Sequence, residues 1–152
     1  MNKLELKHLA PYLPYGLTIY DKYKKSDKFD IYEMTLNNLN GVIKNDLRKP
    51  ILRPLSDLKK MIKHNGNTFC PFNVIDEDCN YDHICDTDYN TDWSDKGDSI
   101  YDYLELFIKD DSKYRINFLP YGLITKLFEW HFDVFGLIPK GIAIDINTLD
   151  NE

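Results

Sequence analysis

Apolar positions fall in short blocks along the chain, and their spacing predicts a mixture of strands and helices. Leu17-Thr18-Ile19-Tyr20 and Phe29-Asp30-Ile31-Tyr32-Glu33-Met34 combine β-branched and aromatic residues on either side of the charged stretch 21–28, the pattern of a β-hairpin. Upstream, Leu4, Leu6, Leu9 and Leu13 suit a short helix or extended arm that Pro11 and Pro14 stop, because proline lacks the N–H donor and clashes with the preceding turn. Asn37-Asn38-Leu39-Asn40-Gly41 has turn chemistry and leads to a strand or short helix around 42–47. Leu55, Leu58, Met61 and Ile62 share one helical face, so a short helix over 58–65 with Gly66 as its stop is expected. Residues 68–75 read as a strand whose Pro71 puts it at a sheet edge or bulge.

Residues 76–98 show no periodicity and read as a long loop. Beyond it, Ile100, Tyr103, Leu104, Phe107 and Ile108 follow helical spacing over 99–110. After Pro120, apolar residues from Leu123 to Phe135 cover most of a helix circumference, which predicts a core helix closed by Gly136. Ile142-Ala143-Ile144-Asp145-Ile146 reads as a final strand. The sum is a single α+β domain, a small mostly antiparallel sheet packed against two or three helices, with a long acidic loop. The pentapeptide Leu-Pro-Tyr-Gly-Leu occurs at 13–17 and again at 119–123, but its surroundings differ and no duplicated fold follows.

Composition sharpens this picture through charge. The 152 residues carry a net charge of -6, divided unevenly: residues 1–65 hold 13 Lys or Arg against 7 acids, and residues 66–152 hold 6 against 18. The loop 76–98 holds nine acids and the single base Lys96. An acidic protein with few aromatics in its basic stretch is unlike a nucleic-acid binder, so a nucleic-acid partner is not expected. The most apolar stretch, 128–138, is broken by Glu129, His131 and Asp133 and is too short for a membrane span. No secretory signal is visible at the N-terminus, and three cysteines, an odd number, do not suggest a disulfide framework, so a reducing cytoplasm is the expected location.

Catalytic signatures are missing from the sequence. The glycines form no GxGxxG, the spacing from Gly136 to Gly141 is followed by Ile142-Ala143 where a phosphate loop needs Lys and Ser or Thr, and neither HExxH nor GxSxG occurs. In Glu129-Trp130-His131-Phe132-Asp133 a helix would put Glu129 and Asp133 on one face and His131 on the other, so the three do not converge. Cys70, Cys79, His83 and Cys85 are a possible zinc set whose C-x8-C-x3-H-x-C spacing lacks the tight pair of known zinc knuckles, and no metal or cofactor is expected. The runs from Asp76 and from Asp86 space oxygens like the first half of a calcium loop, yet lack its glycine and closing glutamate.

Three blocks, Lys7-His8-Leu9-Ala10-Pro11-Tyr12-Leu13-Pro14-Tyr15-Gly16-Leu17, Lys49-Pro50-Ile51-Leu52-Arg53-Pro54-Leu55-Ser56-Asp57-Leu58 and 129–138 with Ala143-Ile144-Asp145-Ile146-Asn147, resemble a group of small uncharacterised proteins encoded in phages and prophages of gut-type bacteria. The resemblance implies a phage accessory gene and carries no catalytic residues with it. The expected function is therefore non-enzymatic binding to a host or phage protein, such as a defence protein, with Asp76, Glu77, Asp78, Asp82, Asp86, Asp88, Asp92 and Trp93 as the contact surface. The alternative is a module for a phosphorylated small ligand or nucleotide, held by Arg48, Lys49 and Arg53.

Overall fold

The computed structural model describes residues 3–78, 119 and 121–149. The chain forms two compact units, Met1–Leu55 with Ile116–Glu152, and Ser56–Arg115. The class is α+β with a mostly antiparallel sheet, as the sequence pattern predicts.

In the first unit, helix α1 (Leu6–Leu9) runs into a 3-10 helix, Ala10–Tyr15, that ends at the left-handed Gly16. The α-helix ends before Pro11, as expected, while the chain continues through both prolines as a 3-10 helix. Pro11 occupies its first turn, where a missing N–H costs nothing, and the tighter 3-10 turn carries Pro14. The expected hairpin is present: β1 (Thr18–Lys22) pairs antiparallel with β2 (Phe29–Glu33), Tyr20 opposite Ile31. Helix α2 (Leu36–Lys44) replaces the turn expected at 37–41. A capping box between Thr35 and Asn38 starts it, with Thr35 N–H donating to Asn38 Oδ1 at 2.8 Å, and Leu39 and Val42 bury its inner face. The glycine in it, Gly41, makes room for a neighbour: a Cβ there would lie 2.7 Å from Arg48 Nη1.

The strand β3 (Arg48–Leu52) pairs antiparallel with β1 and parallel with the two-residue β6 (Ile144–Asp145), giving the sheet order β2-β1-β3-β6. Pro50 is tolerated in this central strand for a geometric reason. Lys22 N–H donates to Leu47 O, which fixes the register so that the Pro50 nitrogen faces away from β1, and β6 begins opposite Ile51. Helix α4 (Tyr121–Glu129) buries Leu123 and Leu127. The core gathers Leu9, Tyr12, Leu17, Ile19, Met34, Leu39, Val42, Leu52 and Leu137, with Phe128 and Phe135 packed against it. Tyr12 meets the Phe128 ring edge-on at 4.9 Å.

In the second unit a 3-10 helix, Leu55–Lys59, leads to a hairpin of β4 (Ile62–His64) and β5 (Asn67–Phe69), followed by α3 (Pro71–Asp78). Three expectations are corrected here. The helix over 58–65 is a 3-10 turn and a strand, because Asn65 and Gly66 both take positive φ (49° and 81°) and form a two-residue hairpin turn, with His64 opposite Asn67. The strand over 68–75 ends at Phe69, since Pro71 opens a helix, a position that proline's fixed φ favours. That helix also takes Asp76, Glu77 and Asp78 out of the expected loop. The helix expected over 99–110 lies outside the described residues. Among the described residues no helix is long and apolar enough to cross a membrane.

The hairpin turn yields a test. Open space surrounds a Cβ at Gly66, so Gly66→Ala introduces backbone strain alone and is expected to cost about 1 kcal/mol, while Asn65→Gly is expected to be near neutral. Urea unfolding of the two variants checks this.

Candidate functional site

The densest polar chemistry of the first unit gathers where α4 ends. The expected long helix stops at Glu129, and the EWHFD motif is a turn. Phe132 N–H donates to Leu127 O at 2.9 Å and His131 N–H to Phe128 O at 3.0 Å, while His131 takes a left-handed φ of 59°. These are the paired bonds of a Schellman cap, with the fully buried Leu127 and Phe132 as its apolar contact. The cap reverses the chain and overturns the shared helical face of Glu129 and Asp133, because no helix continues beyond Glu129.

The reversed segment lies beside the end of β3 in strand-like pairing. Arg53 N–H donates to His131 O and Asp133 N–H to Arg53 O, both at 2.8 Å, so that Arg53 bridges Phe132 in parallel fashion. Tyr12, fully buried, donates its hydroxyl to Phe132 O at 2.6 Å and accepts from Val134 N–H at 3.4 Å. Burial pushes its phenol well above the usual tyrosine range, and the Asp133 charge adds to this. His131 Nε2 lies 2.8 Å from Tyr15 O; a carbonyl can only accept, so Nε2 carries the proton.

Asp133 is 4% exposed and uses both carboxylate oxygens, accepting from Leu137 N–H at 2.7 Å and Ile138 N–H at 2.8 Å. It starts a turn that Gly141, at φ 71°, closes. Burial raises its carboxyl above the usual aspartate range, against the pull of the two N–H donors and Lys140. Its function in this geometry is to hold the 133–141 turn, and the imidazole of His131 holds the end of the Ala10–Tyr15 segment.

The three basic residues of the ligand reading, Arg48 and Lys49 on β3 and Arg53 just past its end, do not converge. Arg48 and Lys49 are neighbours on β3, so their side chains leave opposite faces of the sheet. Arg48 Nε pairs with Asp21 Oδ2 at 2.8 Å, Lys49 Nζ donates to Gly141 O at 2.7 Å, and Arg53 is 8% exposed beside the Phe132 bridge. Of the acidic set, Asp76, Glu77 and Asp78 form the last turn of α3, whereas Asp82, Asp86, Asp88, Asp92 and Trp93 lie outside the described residues. So do Cys79, His83 and Cys85 of the zinc set; Cys70, half-buried, directs its thiol at Leu58 O at 3.8 Å. The polar knot around Phe132 is what sequence reasoning missed. Its only advance signal was a polar triplet interrupting an apolar run, which an amphipathic helix explains equally well.

Comparison with known proteins finds no match: no family model fits the chain, and no curated protein and no solved structure is significantly similar.

Two outcomes are expected at this knot. Tyr12→Phe removes a buried donor from the Phe132 carbonyl and is expected to cost about 1–3 kcal/mol with the fold retained; a denaturant midpoint unchanged from wild type would contradict it. Because the folded state raises the Asp133 pKa, its proton-linked contribution is full below the ordinary value of 3.8 and fades as pH climbs through the raised one. The melting temperature of wild type relative to Asp133→Asn should accordingly rise as pH falls through that window, and a decline there would reverse the assignment.

Proposed function

We propose that this protein acts by binding, without catalysis, to a basic surface of a host-cell protein, and that the acidic segment starting at Asp76 is its contact. The observation that carries the reading is where α3 ends. Its last turn holds Asp76, Glu77 and Asp78, with no basic residue there. The carbonyl end of a helix already bears partial negative charge, and carboxylates at that end each cost about 0.3–1 kcal/mol when nothing cationic faces them. Local choices that work against their own element mark places kept for another purpose. The sequence continues this charge through residues 79–98 with six further acids, so a cationic partner gains from the whole stretch.

Chemistry elsewhere supports binding over catalysis in a positive sense: His131, Asp133, Arg48 and Lys49 each spend a hydrogen bond on holding a turn or strand in place. The resemblance to phage-encoded proteins supports a bacterial host protein as the partner class.

The triple variant Asp76→Asn, Glu77→Gln, Asp78→Asn separates the two roles of these residues. It should be slightly more stable than wild type, as the helix end loses its repulsion, yet retain less of the partner that the immobilised wild-type chain captures from host lysate. Capture by the wild type should fall with added salt. Equal retention by the variant, with the captured protein identified by mass spectrometry, would remove the acidic segment from the interface.

A further inference from the structure

We propose that the outer edge of β2 is a dimerisation edge, at which Phe29–Glu33 pairs antiparallel with the same strand of a second copy. Among the described residues β2 pairs with β1 alone and ends the sheet. The ladder fixes which groups point outward. Met34 N–H donates to Leu17 O and Tyr23 N–H to Lys28 O, so the alternate residues Asp30 and Tyr32 bond inward to β1, and Phe29, Ile31 and Glu33 present their N–H and C=O groups to the open side. The Glu33 carbonyl already accepts from Asn38 Nδ2 at 3.1 Å and keeps its second lone pair.

The side chains at the same three positions share one face of the sheet. Ile31 is 48% exposed there, beside Tyr20, whose ring stacks on Phe29 at 4.7 Å. Isolated, this is an apolar row that stops at an open edge, an arrangement that proteins cover or protect.

A second copy fits this edge better than an arbitrary strand because the strand is self-complementary in one direction only. A two-fold axis through Ile31 lets the Ile31 backbone groups of the two copies exchange both bonds and sets Phe29 against the partner's Glu33. The apolar row then runs on from Tyr20 and Ile31 into the partner's Ile31 and Tyr20. The partner's Glu33 arrives beside Phe29, whose neighbour on β1 is Lys22, so the basic end of each hairpin meets the acidic end of the other. Asp30 faces the partner's Tyr32, and no two like charges stand directly opposite. A parallel pairing would instead align Asp30 with Asp30 and Glu33 with Glu33, which is repulsive.

The proposal is tested on the full chain by light scattering and sedimentation across a concentration series. Wild type is expected to approach twice the 18.0 kDa monomer mass. Ile31→Lys puts two cations on the axis, and Ile31→Pro removes the outward N–H together with the isoleucine side chain while leaving the hydrogen bonds to β1 in place; both are expected to stay monomeric while keeping the wild-type circular dichroism spectrum. A charge exchange then tests the direction. Lys22→Glu alone and Glu33→Lys alone should each dimerise several-fold more weakly, and mixing the two variants should restore a heterodimer, since each glutamate then meets a lysine. Wild type that remains monomeric throughout, a dimer that survives both Ile31 substitutions, or a mixture no tighter than the separate variants overturns it.

Discussion

The first unit depends on one backbone reversal, the left-handed turn at His131. Without it α4 would carry Phe132 onward along its own axis; with it Phe132 comes back beside Arg53, where its carbonyl meets the Tyr12 hydroxyl. A residue other than glycine at this φ is strained by roughly 1 kcal/mol or somewhat more. The Schellman bonds, the Arg53 bridge, the Tyr12 hydrogen bond and the Tyr15–His131 contact together outweigh that. Glycine would adopt the turn more easily but would lose the imidazole that anchors the 3-10 segment. The same reversal delivers Asp133 to the start of the next turn, whose closing Gly141 accepts from Lys49 on β3. Strand, turn and helix ends are thus tied through a few buried polar groups in an otherwise apolar core.

What the sequence revealed and what it concealed follow from the range of the interactions. The β1–β2 hairpin was legible because its signal is local: two β-branched and aromatic runs around a charged loop. Asn65-Gly66 was equally local but ambiguous, since glycine after basic residues also marks a helix end, and only the pairing of Ile62 with Phe69 decides between them. Helix α2 was hidden by its asparagines, which favour turns until Asn38 is seen to cap Thr35. The run after Pro120 misled in the other direction. Its apolar residues belong to a helix face as far as Phe128 and to a reversed segment afterwards, and periodicity cannot distinguish one buried helix from two buried pieces. The Phe132 knot rests on partners about 120 residues apart, Tyr12 and Phe132, and no local pattern encodes that contact.

The ionisable groups differ in their structural commitments in a way that composition alone does not show. His131 and Asp133 are committed to backbone groups and Arg48 to the Asp21 carboxylate, so each has a structural role. Asp76, Glu77 and Asp78 instead stand in the last turn of α3, where the sequence supplies no basic residue. The net value of -6 therefore averages over charges that hold the first unit together and charges that lie outside that network.

Pairing at β2 would change how the proposed acidic contact acts as well as how the sheet ends. On the proposed reading, one segment of nine acids against one base would bind a cationic surface with an affinity that salt screens readily. Two copies joined through β2 present two such segments, and engagement of the first raises the effective concentration of the second at the same target, so that avidity grows without any new contact. The gain depends on the target offering two basic sites within reach. A basic repeat or an oligomeric partner satisfies that condition, and a single basic patch does not. The edge strand and the acidic helix end then answer separate questions, how many contacts are made and with what chemistry.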